Sequence, residues 1–240
     1  MGNKGEKLYE GKAKVIYSTD DPGIVLAYFK DDATAFNALK KGTIANKGTV
    51  NATVSTRLFQ LLATEGVRTH FVDQPAPNEL RLARLEMIPL EVVVRNIAAG
   101  SLCKRYGIPS GQVLEEPLVE FFYKADALQD PMLNDDHVTQ VLKIVTKPQL
   151  QQIKDLTLTI NQVLQAFFLR CNLHLVDFKL EYGWDANQNL VLGDEISPDN
   201  CRLWDVTDNR VLDKDRFRLD MGGVENSYQE VMKRVLEARI

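Results

Sequence analysis

The chain has 240 residues, 45% of them hydrophobic and 26% charged, and a formal net charge of −4, which suits one domain or two modest lobes around a cleft. That balance argues against a broad nucleic-acid surface, so any anion would be held by local clusters of Lys and Arg. No run approaches the roughly 20 apolar residues of a membrane span, and polar, lysine-rich Met1–Tyr9 lacks a secretory h-region. Cys103, Cys171 and Cys201 are far apart and form neither a metal pattern nor a disulfide framework, so the cytoplasm is the expected location.

In chain order, strands come first. Leu8–Tyr9 and Lys14–Tyr17 flank Gly11, and Ile24–Phe29 follows the turn signal Asp20-Asp21-Pro22-Gly23. The spacing of Val50, Val54, Leu58, Leu61 and Leu62 predicts a helix stopped at Gly66. Strands resume near Arg68–Val72, Leu80–Leu85 and Leu90–Val94. Pro- and Gly-rich loops are expected between Tyr106 and Pro131. A long amphipathic helix then spans Pro148–Cys171, with Leu150, Ile153, Leu156, Ile160, Val163, Leu164, Phe167 and Phe168 on one stripe. A hairpin over Leu173–Ile196 and a helix carrying Tyr228, Val231, Met232, Val235 and Leu236 complete an α+β pattern. Residues 1–87 read as a β-rich N-terminal lobe and 88–240 as a larger mixed α/β lobe, with a small-molecule cleft between them.

Four constellations can carry chemistry. In Leu175–Tyr182, strand alternation places Asp177, Lys179 and Glu181 on one face. A turn near Ala186 and Asn187 sets Asp194 across from Lys179 or Leu180, close to Glu181. Two carboxylates beside a lysine can hold Mg²⁺ against phosphate oxygens, although a solvated charge ladder has the same pattern. The apolar run Leu190-Val191-Leu192 before Gly193-Asp194 favours the buried reading. Lys12 and Lys14, around Ala13 and after Gly11, suit a turn that covers phosphates, as they suit a merely solubilising one. Arg95, at the end of a buried strand that leads to Gly100-Ser101, suits phosphate or carboxylate capture as well as strand capping. Arg202, after the turn Pro198-Asp199-Asn200, can bind a second anion or stack on Trp204. His70, His137 and His174 show no metal-ligand spacing and read as structural or surface residues.

Several of these segments, taken in order, resemble a known family, the phosphoribosylaminoimidazole-succinocarboxamide synthases. They are Tyr9–Lys14, Ile88–Glu91 through Arg95 to Gly100-Ser101, Lys124 through Asp130-Pro131, Leu175–Gly183, and Gly193–Asp199 with Arg202-Leu203-Trp204. Tyr182 stands where Phe or Ile is expected, and Asn200-Cys201 where Ser and a small residue are usual; the charged positions are intact. The resemblance implies a two-lobed, kinase/ATP-grasp-like fold with ATP in the cleft, and Mg²⁺ held by Glu181 and Asp194. ATP would activate the carboxylate of an imidazole nucleotide as an acyl phosphate, which the aspartate amine would then displace. On the same ground Lys12, Ala13, Lys14 and Val15 would meet ATP, with Val15 lining the adenine pocket. Met87 would act as a hinge whose backbone meets adenine, and Lys124 would be a further ATP-side lysine. Arg95, Ser101 and Arg202 would bind the nucleotide substrate, and Asp177 and Lys179 would face its imidazole and reacting carboxylate, with Asp130 also in the site. Lys214–Arg218 is left open between anion binding and surface charge, and a homodimer is a modest preference. The rivals are an inositol-phosphate or other small-molecule kinase, which would use Lys14, Glu181 and Asp194 alike, and a non-catalytic nucleotide-binding regulator.

Overall fold

The computed structural model describes residues 4–35 and 40–240, so the Met1–Asn3 end of the polar N-terminal stretch lies outside the described residues. Strands β1 (Lys7–Glu10), β2 (Lys14–Ser18) and β3 (Ile24–Phe29) form an antiparallel meander, and β4 (Asp32–Ala35) pairs with β5 (Lys40–Thr43) in a separate ribbon. Helix α1 (Lys47–Thr64) follows; Gly66, at φ +76°, takes the left-handed conformation that ends it. Strands β6 (Phe71–Ala76) and β7 (Glu79–Ala83) complete a five-stranded sheet in the order β1-β2-β3-β7-β6. The strand expected at Arg68–Val72 therefore begins later and continues through Pro75, which an edge strand tolerates.

The larger sheet starts with β8 (Glu86–Ile97), which runs into the short helix α2 (Gly100–Tyr106). The loops expected between Tyr106 and Pro131 instead contain an eleven-residue strand, β9 (Val113–Tyr123), paired with β8 and with β10 (Met132–Leu133). Pro117 signalled a break, but the β8–β9 register already slips opposite it, between Arg95 and Ile97, so its missing N–H interrupts no regular ladder.

Helix α3 (Lys147–Arg170) starts where its sequence provides a reciprocal cap. Thr146 Oγ1 accepts a hydrogen bond from Gln149 N at 3.4 Å, and Gln149 Oε1 accepts one from Thr146 N at 2.9 Å. Its stripe of Leu150, Ile153, Ile160, Leu164, Phe167 and Phe168 is buried in the main core. Each such side chain stabilises the fold by about 1.5–3 kcal/mol. Strands β11 (Leu173–Trp184), β12 (Leu190–Gly193) and β13 (Cys201–Asp205), then helices α4 (Asp215–Arg218) and α5 (Val224–Glu237), complete the chain. The sheet order is β10-β9-β8-β11-β12, with β13 also on β11. Val92, Val94, Phe178, Leu180 and Tyr182 occupy its apolar face in the core with α3. Helix α1 serves both sheets: Ala52 joins the small core with Phe29 and Leu80, while Val50, Val54, Leu58 and Leu62 join the large one. Among the described residues, no helix is long and apolar enough to cross a membrane.

Candidate active site

Opposite the α3-packed face, the large sheet carries charge. In register across β8, β11 and β13, Glu91 faces Glu181, Val93 faces Lys179, Arg95 faces Asp177, and Asp177 faces Arg202. Pleat alternation puts all of these side chains on one side. Two cavities open there.

The first, of about 970 Å³, lies between the two sheets. Gly11, Lys12, Ala13, Lys14, Ile16, Val25, Leu82 and Ala83 line one side, and Met87, Glu91, Lys124, Asp130, Lys179, Glu181 and Asp194 the other. Ile16, Val25 and Leu82 form the apolar wall. Val15 does not: the alternation that points Lys14 and Ile16 inward turns Val15 to the opposite face of β2, where it is buried, which corrects the expectation that it lines the pocket. Register explains how the acids meet. Glu181 pairs with Gly193, so the next residue, Asp194, leaves the strand beside Lys179; its backbone is left-handed, at φ +58°. Asp194 Oδ2 accepts a hydrogen bond from Lys179 Nζ at 2.9 Å, and Oδ1 accepts one from Lys14. Lys179 also donates to Glu181 and lies 3.5 Å from Glu91, while Lys124 donates to the other Glu181 oxygen. Lys12, nearer solvent, pairs with Asp126 at 3.0 Å, and Asp130 accepts a hydrogen bond from Ala125 N at 2.9 Å.

This network sets the charge states. Burial disfavours the Lys179 ammonium, but Asp194, Glu181 and Glu91 outweigh it and hold its pKa well above the ordinary lysine value. Burial also disfavours the Asp194 carboxylate, yet Lys14 and Lys179 keep it well below the usual range. Glu91 moves the other way: burial raises its pKa, and Lys179 offsets this only in part. Asp194 is therefore an ionised acceptor, and Lys179 bridges it to Glu181. Among the described residues, no three His, Cys, Asp or Glu side chains form a metal cage. Two carboxylates without a cage suit Mg²⁺, which completes its shell with phosphate oxygens and water.

The second cavity, of about 280 Å³, is lined by Arg95, Ser101, Asp177, Asp199, Arg202 and Arg218, among others. Glu91 and Lys179 line both cavities. Arg95 donates from Nη1 to Asp177 at 2.8 Å and from Nη2 to Ser101 Oγ at 3.0 Å. Arg202 donates from Nη1 to Asp177 at 2.8 Å and from Nε to Asp215 at 2.7 Å, rather than stacking on Trp204. Gly100, at φ +56°, lets the start of α2 close onto Arg202: an added Cβ would stand 2.5 Å from its Nη2. Of the Lys214–Arg218 stretch, Arg218 reaches the cavity and Lys214 lies 3.5 Å from Asp199.

Several residues escaped sequence reasoning. His70 lines the first cavity, with Nε2 2.9 Å from the Asp194 carbonyl oxygen, and burial pushes its pKa down to about 4. An isolated histidine with no ligand spacing gave no signal. Lys47, at the start of α1, is fully buried and pairs with Asp199 at 2.8 Å. Glu120 holds Arg95 from β9, a strand the proline-rich sequence concealed. Cys201 is buried, and burial pushes its thiol pKa well up, while Cys103 is only half-buried.

The family model for SAICAR synthetase matches residues 7–235. The chain belongs to the SAICAR synthetase family. A phosphoribosylaminoimidazole-succinocarboxamide synthase of Gloeobacter violaceus is 63% identical over 229 residues, covering 95% of this chain and 93% of that one. The crystal structure of the corresponding Ehrlichia chaffeensis synthase superposes with a TM-score of 0.94 at 43% identity, covering 98% of this chain and all of that one (100%). A SAICAR synthetase structure in complex with ADP gives a TM-score of 0.92 at 45% identity, covering 97% of this chain and 99% of that one. The family is one of ATP-dependent ligases, and the mixed α+β fold is the one its solved members share.

Proposed function

We propose that the chain joins L-aspartate to 5-amino-1-(5-phosphoribosyl)imidazole-4-carboxylate at the expense of ATP. The products are the succinocarboxamide nucleotide, ADP and phosphate, made in the cytoplasm as a step of de novo purine biosynthesis. The observation that carries this reading is that Lys179 lines both cavities, so two phosphorylated ligands can meet at one ammonium. Residues 1–87 form the ATP-binding lobe in this account, and 88–240 carry the substrate and metal sites.

ATP occupies the first cavity, with its base against Ile16, Val25, Leu82 and the Met87 backbone and its phosphates under Lys12, Ala13, Lys14 and Lys124. Glu181 and Asp194 hold Mg²⁺, which supplies charge neutralisation at the phosphates. Arg95, Ser101 and Arg202 bind the anionic groups of the imidazole nucleotide in the second cavity. Asp177 spreads the two guanidiniums, and Lys179 neutralises charge where the nucleotide carboxylate attacks the terminal phosphoryl group. The aspartate amine then displaces phosphate from the activated carboxyl carbon. No protein nucleophile is needed; positioning and electrostatics do the catalysis. Asp130 adds a further carboxylate at the Lys124 end of the first cavity.

The test is turnover with Mg-ATP and the carboxylated imidazole nucleotide, with and without aspartate. Equimolar ADP and succinocarboxamide nucleotide, formed only when all three substrates are present, is the expected result. ADP formed as fast with an inositol phosphate as acceptor would make the protein a kinase instead.

A further inference from the structure

We propose that Glu120 is a positioning residue for the nucleotide substrate: from behind the second cavity it sets the plane in which Arg95 presents its guanidinium to a phosphate monoester. This rests on the reading above that Arg95 binds an anionic group of the nucleotide.

The placement follows from register. Glu120 pairs with Val93, two positions from Arg95 on β8, and so sits diagonally beside Arg95 on the same face of the sheet. Its side chain is 1% exposed and that of Arg95 3%. Glu120 Oε2 accepts a hydrogen bond from Arg95 Nε at 2.6 Å, and Oε1 accepts one from Arg105 Nη2. Arg105 is itself held over the rings of Tyr106 and Phe122, at 5.5 and 5.6 Å from their centroids. Arg105, Glu120, Arg95, Asp177, Arg202 and Asp215 thus form a ladder of alternating charge from α2 to α4.

Glu120 differs from Asp177 in where it grips. Asp177 meets the terminal Nη1 of Arg95 and lines the cavity, so an incoming anion competes with it. Glu120 takes the Nε side and does not line the second cavity, so a substrate bound there does not displace it. A guanidinium is planar; fixing its Nε–H fixes the directions of both terminal nitrogens, and bidentate phosphate recognition depends on those directions. A carboxylate present merely to neutralise buried charge would not single out one substrate.

The experiment compares Glu120→Gln with the parent chain in steady-state turnover and uses ribose 5-phosphate as a competitive probe of the phosphate subsite. The amide keeps the size but loses the charge-assisted bond to Nε, a loss expected to raise the nucleotide KM at least about tenfold. The KM for ATP should stay within about twofold. Inhibition by ribose 5-phosphate should weaken by the same factor as the nucleotide KM. Arg105→Ala, which frees one Glu120 oxygen, should shift the nucleotide KM in the same direction by less, and it serves as the test if Glu120→Gln does not fold. An unchanged nucleotide KM, a parallel rise in both KM values, or unaltered competition by ribose 5-phosphate would overturn the proposal. If Arg95→Lys raises the nucleotide KM while Glu120→Gln does not, this inference fails alone; if the parent chain makes no succinocarboxamide nucleotide, the functional reading fails first.

Discussion

Lys179 Nζ lies 2.9 Å from Oδ2 of Asp194, fifteen residues along the chain, because the β11–β12 hairpin sets Gly193 opposite Glu181. The contact joins Asp194 to the ammonium shared by both cavities. Asp194→Asn keeps a side chain that tolerates the left-handed backbone at φ +58°, but removes the charge facing Lys14 and Lys179. Turnover is expected to fall by at least about 10²-fold, with the circular dichroism spectrum unchanged. Retained activity would remove Asp194 from the site.

Gly100→Ala tests the second cavity. The new methyl would fall 2.5 Å from Arg202 Nη2, at a φ of +56°. The atom it meets is the end of a flexible side chain, so the fold should survive at a cost of about 1 kcal/mol for the backbone conformation. Arg202 should be displaced from Asp177. The expected outcome is a raised nucleotide KM with an unchanged KM for ATP.

The hairpin that makes the site was legible because its turn residues and apolar strand fixed which residues face each other: Asp194 was placed beside Lys179 and Glu181 from local spacing alone. The long helix was legible for the same reason, since the 3.6-residue stripe and the Thr146–Gln149 cap are local signals. Strand β9 was not, because Pro117 reads as a loop residue unless the register slip opposite it is known. Glu120, Lys47 and His70 were missed on related grounds. Their roles arise from partners 25 to 152 residues away, which no periodicity encodes. Val15 was misplaced by one residue, and in a strand one residue changes the face.

Lys47 predicts a stability effect distinct from any effect on turnover. Its ammonium is fully buried against Asp199, whose carboxyl, though disfavoured by burial, is held below the usual range by Lys47 and Lys214, with a hydrogen bond from Tyr228. Lys47→Ala leaves that buried charge with Lys214 at 3.5 Å as its cation. A loss of roughly 3–5 kcal/mol is expected, as for a buried pair with one partner removed, read from urea unfolding.

Asp205 predicts a pH dependence. A backbone hydrogen bond from Thr207 and the Arg234 guanidinium push its pKa down from 3.8 to about 2. A depressed carboxylate pKa contributes stability that is complete above the unfolded value and is lost as pH falls through the folded one. The window is thus about pH 4 down to 2. Asp205→Asn should cost at most about 2 kcal/mol at neutral pH, less in high salt. It should also flatten the acid limb of a stability–pH curve; a parallel limb would assign the shift elsewhere.

The central claim is that the nucleotide carboxylate accepts the phosphoryl group at the Lys179 junction. It is tested most directly by turning over nucleotide labelled with ¹⁸O in its 4-carboxylate and analysing the released phosphate by mass spectrometry. One labelled oxygen per phosphate is the predicted result. Unlabelled phosphate, with the expelled label found in water, would contradict it.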